Sequence, residues 1–323
     1  YFLIFLNKKD ENIYFIWHIF SQVWVESYFG KSFIVVLFQH FLFSKALKLL
    51  PKQKVGFYLQ ENINWQSSLI MNWDKNKHRN LIGINHSTLR FWDLRNFYYF
   101  QNKKDLKFQL PYPDFTAVNS KWGKKILLDG GIKSTKILDL EALRFQSAKI
   151  SNNTFIKKLK LDRKKKNLII FGAFNAYENK FQLLLINKIY KDISNYFNIL
   201  YKPHPSGTKD KYIDFEYKDC TKSGVEEMLM VADVVYTESM TSTSVEAYQK
   251  NLPLIICFDS QSINLSPLYK IDGVNFVTNE LDLLKHLKDM IDQKSKSKKN
   301  KNKEFFIIDS SLPKWKKLIE SNL

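Results

Sequence analysis

Cysteine is scarce in this 323-residue sequence, which contains only Cys220 and Cys257. The two residues are far apart and neither has a CxxC partner. We therefore expect two reduced, structural thiols, which suits a cytoplasmic protein.

Several sequence signatures are absent. The chain contains no GxGxxG, Walker A, HExxH or GxSxG motif, and no RNA-binding aromatic motif, zinc finger or basic zipper. Asp139-Leu140-Glu141 resembles a metal-binding carboxylate pair but lies in a helical pattern, which is typical of a solvated face. We expect no obligatory metal, no cofactor and no nucleic-acid partner.

A long apolar run is also lacking. The most apolar stretch, Phe33–Phe43, contains Gln39 and His40 and is bounded by lysine and serine. A membrane-spanning helix needs about 20 apolar residues. The stretch is therefore predicted to be a buried or interfacial helix.

Acidic residues are fewer than basic ones, 32 against 50, which gives a net charge of +18. Such an excess favours an anionic partner such as an anionic lipid or a phosphorylated substrate. Part of the excess lies in the run Lys294–Lys303. This run is interpreted either as a solvated loop or as a contact with an anionic membrane.

From residue 55 onward, apolar strands alternate with helices, a pattern that predicts an α/β fold with parallel sheets. Strands are predicted at Val55–Gln60, Leu81–Asn85, Phe115–Asn119, Asn167–Phe171, Ile199–Lys202, Val234–Thr237 and Leu254–Phe258. Helices are predicted at Trp65–Asp74, before Gly130-Gly131, and at Glu178–Phe197, Val225–Ala232, Ser244–Lys250 and Glu280–Asp292.

The basic stretch Lys157–Lys166 interrupts this pattern and predicts a domain boundary. We expect two Rossmann-like domains facing a cleft, the first over residues 1–155 and the second over residues 156–305. Residues 306–323 are predicted to form a helix that packs back on the first domain. Because the chain begins with Tyr1, the first domain is expected to be truncated.

The strongest candidate motif is Tyr201-Lys202-Pro203-His204-Pro205, which follows an apolar strand. The two prolines fix the backbone and hold the imidazole at the edge of the sheet. There His204 can donate to a phosphate oxygen and stabilise a departing nucleotide. The alternative is a histidine that only caps a turn.

A second motif follows the strand ending at Thr237. Hydroxyl residues are crowded before the next helix, at Ser239, Thr241, Ser242, Thr243 and Ser244. The amino terminus of a helix favours phosphate, and the hydroxyls add donors. One of them could be an ordinary N-cap. Glu246 could accept from ribose hydroxyls or interact only with the helix dipole.

Polar residues also follow the first two strands. Glu61 could remove the proton of an acceptor hydroxyl, with His86 as the second candidate base, and a salt-bridged surface glutamate is the alternative for Glu61. Arg90 and Arg95 suit a carboxylate or phosphate on the donor or acceptor. Gly172 would let a ligand approach the backbone, or serve a plain turn.

These residues carry a resemblance to known proteins. His-Pro after a strand, followed by the Ser/Thr-rich turn, resembles bacterial sialyltransferases, polysialyltransferases and capsule Kdo transferases, and CDP-glycerol glycerophosphotransferases share similar elements. Tyr58–Trp65 and Leu81–Phe97 resemble a family of surface carbohydrate biosynthesis proteins. The resemblance covers roughly residues 50–323 and implies the GT-B fold. It assigns donor phosphate binding to His204 and the hydroxyls, and the base to Glu61.

The resemblance implies a metal-independent glycosyltransferase that moves a CMP-activated nonulosonic acid or Kdo-like sugar to a glycan or lipid-linked glycan of a surface polysaccharide, capsule or lipopolysaccharide. After Glu61 the sequence departs from several of the capsule enzymes. They have a second acid and glycine there, whereas this chain has Asn62-Ile63-Asn64. A glycerol- or ribitol-phosphate transferase and a non-catalytic nucleotide-sugar-binding subunit remain open. We expect a cytoplasmic protein, peripheral at the inner face of the plasma membrane.

Overall fold

The computed structural model describes residue 21 and residues 24–96, 111–146, 159–207, 212–292 and 305–321. Two compact units are present. The first comprises Tyr1–Ile84, Lys103–Thr116 and Ser321–Leu323, and the second comprises Asn85–Asn102 and Ala117–Glu320. The predicted domain limits stay a prediction, and the lysine run Lys294–Lys303 lies outside the described residues.

Within the described residues, the strands form two sheets, of four and six strands. The strand order is β1-β2-β3-β4 in the first sheet and β10-β9-β8-β5-β6-β7 in the second. Neighbouring strands of the six-stranded sheet are all parallel. The strands are β1 (Val55–Leu59), β2 (Asn80–Ile84), β3 (Phe115–Val118), β4 (Ile137–Asp139), β5 (Lys166–Phe171), β6 (Phe197–Lys202), β7 (Lys218–Asp219), β8 (Val234–Glu238), β9 (Leu254–Cys257) and β10 (Asn275–Val277).

The helices lie where the sequence pattern predicts them, with one displaced end. The helix predicted to reach Phe197 ends at Ile193, because the chain turns at Ser194 and Phe197 begins β6. The α-helices are α1 (Lys31–Leu49), α2 (Asn64–Lys75), α3 (Lys121–Asp129), α4 (Ala176–Ile193), α5 (Val225–Val231), α6 (Thr243–Gln249), α7 (Glu280–Asp292) and α8 (Pro313–Glu320).

The six-stranded sheet is buried on both faces. In β5, Leu168 and Ile170 pack with α4 and α7 on one face, while Ile169 and Phe171 pack with α5 and α6 on the other. This arrangement explains the nearly continuous apolar sequence of β5 and β8. Each fully buried aliphatic side chain contributes about 1.5–3 kcal/mol to the free energy of unfolding. The sheet is therefore a rigid platform for the loops at its edges.

Helix α1 differs from its prediction as a buried or interfacial helix. It has 19 residues and a mean hydropathy of 1.4, and by length and composition it could cross a membrane. Only Leu47 is fully buried, while Phe38 is 69% exposed and Phe41 63% exposed. The prediction of a buried helix is therefore wrong, and the interfacial alternative stays a prediction.

The segment Asp139-Leu140-Glu141 is not a solvated helical face, so that interpretation was wrong. Asp139 ends β4 and forms an ion pair with Lys124 at 2.7 Å. Glu141 is buried, and its carboxylate accepts hydrogen bonds from the backbone N–H groups of Lys314 and Trp315. A carboxylate at this point satisfies N–H groups that the first turn of α8 leaves without helical partners.

Candidate functional site

The order of the six-stranded sheet places three strand ends beside one another. Strand β5 lies between β8 and β6, and all three run in parallel. Their carboxyl ends therefore meet at one edge, where open α/β sheets bind ligands. His204 follows β6, Gly172 follows β5 and the hydroxyl-rich turn follows β8. The structure thus brings these predicted residues together in the second unit.

His204 is half-buried just beyond β6, in a turn closed by a hydrogen bond from the Gly207 N–H to the His204 carbonyl. The Ser206 N–H donates to Nδ1 of the ring over 3.1 Å. Because Nδ1 accepts, the neutral imidazole carries its proton on Nε2. Burial lowers the pKa of His204. At neutral pH the ring is therefore a neutral donor through Nε2, while Pro205 beside it is exposed.

An exposed aromatic ring lies beside this histidine, and a second exposed ring follows three residues later in the sequence. The Phe174 ring is 5.2 Å from the His204 ring in an edge-to-face arrangement and is 68% exposed. Tyr177 is also exposed, and its hydroxyl donates to Asp259. An exposed ring beside a polar donor is a surface on which a planar base can stack.

Gly172 is explained by packing. It is buried, and its N–H donates to the Lys202 carbonyl. A Cβ at this position would lie 2.7 Å from the Tyr201 hydroxyl and 3.2 Å from the Pro203 Cα. The glycine allows β5 and β6 to lie close together, so its contribution to a ligand site would be indirect.

The five hydroxyl residues of the turn fall into two groups. Ser239, Thr243 and Ser244 are buried, whereas Thr241 and Ser242 are half-exposed. The Ser244 hydroxyl donates to the Thr241 carbonyl at 2.7 Å. Ser242 precedes α6, and its side chain makes no capping hydrogen bond to that helix. Ser244 therefore stabilises the turn, and Ser242 is the better candidate for contact with a ligand.

This division predicts opposite outcomes for two matched substitutions. We expect Ser242→Ala to weaken nucleotide binding with little change in stability. Ser244→Ala removes a buried hydrogen bond and should lower the free energy of unfolding by about 1 kcal/mol. Isothermal titration with CMP and urea unfolding of both variants measure the two effects. Normal binding by Ser242→Ala would remove this serine from the site.

Glu246 lies in α6 and is half-buried. Burial raises the pKa of its carboxyl group, and Glu226 raises it further, while Arg144 and Lys250 lower it. The carboxyl group is therefore placed among charged side chains of its own unit. Its predicted contact with a ribose stays a prediction.

The two predicted anion-binding arginines have different environments. Nη2 of Arg90 donates to the Met240 carbonyl at 2.9 Å, so this side chain holds the turn after β8. Its buried Nε has no hydrogen-bond partner among the described residues. Arg95 forms a fork-like ion pair with Asp93, with both N–O distances 2.8 Å, and its side chain is 54% exposed. The Arg90 side chain therefore stabilises the turn after β8, and the charge of Arg95 is paired with that of Asp93.

A pair of carboxyl groups at this edge was missed by the sequence analysis. Glu238 is only 3% exposed, and its carboxyl group interacts with that of Glu178 in the first turn of α4. Burial, together with the neighbouring Glu178, raises the pKa of Glu238 to about 7, although the Met240 N–H and Arg90 oppose the rise. Burial also raises the pKa of Glu178. Near neutral pH Glu238 is therefore partly protonated, beside Glu178 and Arg90.

The sequence contained a signal for this pair. Glu238 is the last residue of the otherwise uncharged strand β8, and Glu178 begins the helix that follows the neighbouring strand β5. Two acids that follow adjacent parallel strands reach the same sheet edge. The pair borders a narrow crevice of about 10 Å³, which is close to the volume that holds one water.

The two candidate bases follow strands of the smaller sheet. Glu61 lies two residues beyond β1, and its side chain is exposed. The Gln66 side chain accepts from the Glu61 N–H at 3.2 Å and fixes the backbone there. His86 is half-buried two residues beyond β2. Their roles as bases stay predictions.

A larger cavity, of about 580 Å³, lies at the opposite end of β6. Its lining includes Phe197, Asn198 and Lys218 at the amino ends of β6 and β7, together with Tyr190 and Phe215. Because ligands bind outside the carboxyl ends of such strands, the edge with His204 is the better candidate for a ligand site. Among the described residues, no group of three histidine, cysteine, aspartate or glutamate side chains could hold a metal ion.

Comparisons with known proteins give matches at the level of structure. No family model and no curated protein matches the sequence. A UDP-GlcNAc 2-epimerase from Neisseria meningitidis, bound to UDP-GlcNAc, aligns with a TM-score of 0.58 at 12% identity, covering 89% of this chain and 80% of that chain.

Two further solved structures are similar. A candidate UDP-N-acetylglucosamine 2-epimerase from Listeria monocytogenes aligns with a TM-score of 0.51 at 13% identity, covering 81% of this chain and 72% of that chain. The kitacinnamycin glycotransferase aligns with a TM-score of 0.50 at 7% identity, covering 76% and 69%. At such identities the likeness concerns the fold and not the activity. It confirms the predicted fold class: the chain has the α/β fold of GT-B type, built from Rossmann-like sheets.

Proposed function

We propose that the chain is a glycosyltransferase that moves a sugar from a nucleotide donor to a surface-polysaccharide acceptor. The observation that carries this proposal is the placement of His204, a neutral donor at the carboxyl edge of the six-stranded sheet, beside the strand ends that carry Gly172 and the hydroxyl-rich turn. Strand ends of this kind are where α/β sheets bind nucleotides.

The chemistry of these groups suits a departing nucleotide. When the bond between sugar and phosphate breaks, negative charge develops on the phosphate oxygen. The Nε2–H of His204 and the Ser242 hydroxyl can donate to that oxygen, and the ammonium group of Lys202 adds positive charge at the end of β6. Donors that are fixed before the reaction stabilise such charge effectively.

The finer assignment rests on the sequence resemblance. We propose a CMP-linked nonulosonic acid or Kdo-like sugar as the donor and a glycan or lipid-linked glycan as the acceptor. Glu61 is proposed as the base that removes the acceptor proton, with His86 as the second candidate. Reactions without added metal are expected, at the cytoplasmic face of the membrane.

Substitution of His204 by alanine tests the donor site. We expect CMP to bind about 10- to 100-fold more weakly, because a hydrogen bond to a charged group contributes about 1.5–3 kcal/mol. Transfer from CMP-sugars should be largely lost, while the folded structure persists. Isothermal titration with CMP, CDP and UDP, followed by turnover assays with CMP-sugars and CDP-glycerol, measures these effects.

A matched control is available in the same unit. His286 is a half-buried histidine of α7, and His286→Ala should leave nucleotide affinity unchanged. Equal affinity of His204→Ala and the original chain for all three nucleotides would remove His204 from the site. Turnover with CDP-glycerol alone would replace sugar transfer by phosphotransfer, and nucleotide binding without any turnover would indicate a non-catalytic subunit.

A further inference from the structure

Helix α1 has the reverse of the usual surface pattern. Between Phe33 and Leu42, every exposed position is apolar, and the only polar residues, Gln39 and His40, are half-buried on the side of the helix that packs against α2. A surface helix in water normally shows its polar face to solvent. The exposed apolar side chains are Phe33, Ile34, Val35, Leu37, Phe38, Phe41 and Leu42.

The packed side of α1 is well defined. The Phe43 ring stacks on the Trp65 ring with centroids 5.9 Å apart, His40 Nδ1 lies 3.3 Å from Asn72 Nδ2, and Leu47 is buried. At 100° per residue, the exposed apolar positions cover an arc of about 200°. One packed partner helix covers a stripe about half as wide, whereas a lipid phase covers the whole arc.

The charges around the helix agree with a lipid surface. Residues 31–55 contain five lysines and no acidic residue: Lys31, Lys45, Lys48, Lys52 and Lys54. Lysines at the ends of an apolar helix can extend their ammonium groups to lipid phosphates. Trp24 and Tyr28, just before the helix, are also exposed, and such rings favour the membrane interface.

We propose that α1 is a membrane-binding helix that lies in the plane of an anionic bilayer, with its apolar arc in the lipid and its polar side against α2. The helix is about 28 Å long at 1.5 Å per residue. It lies along the surface because its packed side contacts α2, whose exposed Asn64, Ser67 and Asp74 side chains favour water. This inference is independent of the enzymatic activity.

A fluorescent probe on the helix tests the proposal. Both native cysteines are buried, so a Phe38→Cys variant of the full chain can be labelled selectively with an environment-sensitive dye. With vesicles of phosphatidylcholine and phosphatidylglycerol, we expect a blue-shifted emission and quenching by spin-labelled lipids. Vesicles of phosphatidylcholine alone should give a weaker response.

Substitutions supply the second measurement. The triple variant Ile34→Asn, Phe38→Asn and Phe41→Asn should lower the vesicle partition coefficient at least about 10-fold. The matched control changes Ile263 and Leu281, which are 64% and 72% exposed elsewhere, to asparagine and should bind normally. A variant with the Lys294–Lys303 lysines changed to glutamine should retain the probe response at position 38.

Three results would overturn the proposal. In the first, the probe at position 38 does not respond to vesicles, and only the lysine-to-glutamine variant loses vesicle binding. This result assigns membrane contact to the Lys294–Lys303 run. A probe that is already blue-shifted without vesicles, in a concentration-dependent way, shows that a second copy covers the helix. The same shift without concentration dependence shows that another segment of the chain covers it.

Discussion

Glu61→Gln is expected to lower turnover by about 10²–10⁴-fold at saturating donor while CMP affinity stays nearly unchanged. Glutamine has nearly the size of glutamate, but its amide cannot take up the proton that the acceptor hydroxyl loses. The backbone at this point is held by the Gln66 side chain, so the substitution should not alter the local structure. Initial rates with a CMP-sugar and isothermal titration with CMP measure the two quantities.

His86→Ala is the comparison for this experiment, because His86 also follows a strand of the smaller sheet. If Glu61→Gln retains full turnover and His86→Ala loses it, the base is His86. If both variants remain active, neither residue is the base, and the acceptor hydroxyl loses its proton to another group, such as the donor phosphate.

Glu238→Gln is expected to remove a pH dependence of stability. The pKa of Glu238 is about 7 in the folded protein against 4.5 for an ordinary glutamate. Between about pH 4.5 and pH 7, the folded chain keeps a proton on Glu238 that the unfolded chain has lost. The free energy of unfolding therefore falls as the pH rises through this range. At pH 8 the free energy of unfolding is lower than at pH 4.5 by about 3 kcal/mol, since each unit of pKa corresponds to about 1.4 kcal/mol.

Glutamine is neutral at every pH, and its amide can still accept from Met240 and donate to Glu178. Glu238→Gln should therefore match the original chain near pH 4.5 and exceed its stability at pH 8. Urea unfolding across this range gives both curves, and Glu216→Gln, at an exposed glutamate just before β7, is the control. Parallel curves for Glu238→Gln and the original chain would contradict the raised pKa of Glu238.

Much of the fold could be predicted from the sequence, because buried parallel strands are short apolar runs and the helices between them are bounded by polar turns. Strand β5 and helix α7 show this clearly. Strand β4 was missed because its three residues, Ile137–Asp139, are too few to establish a period of two. Glu141 was assigned to solvent because its partners, Lys314 and Trp315, are more than 170 positions away in the sequence.

The candidate site was predictable to the extent that strand ends can be recognised. His204 and the turn after β8 lie at one edge because the order of strands brings them there. The sequence could not divide the hydroxyls into the buried Ser244 and the half-exposed Ser242, since both are serines in one turn. It also could not show that the pKa values of Glu178 and Glu238 are raised, because this depends on burial and on two side chains meeting across neighbouring strands.

The buried carboxylate of Glu141 has a consequence for biosynthesis. Its hydrogen-bond partners at Lys314 and Trp315 lie 173 and 174 positions later in the chain. During synthesis from the amino terminus, about 5–20 residues are added per second. The site around Glu141 therefore stays incomplete for roughly 10–35 s of elongation at that rate. Until then the carboxylate must remain hydrated, so the packing around Glu141 is completed only after Lys314 and Trp315 have left the ribosome.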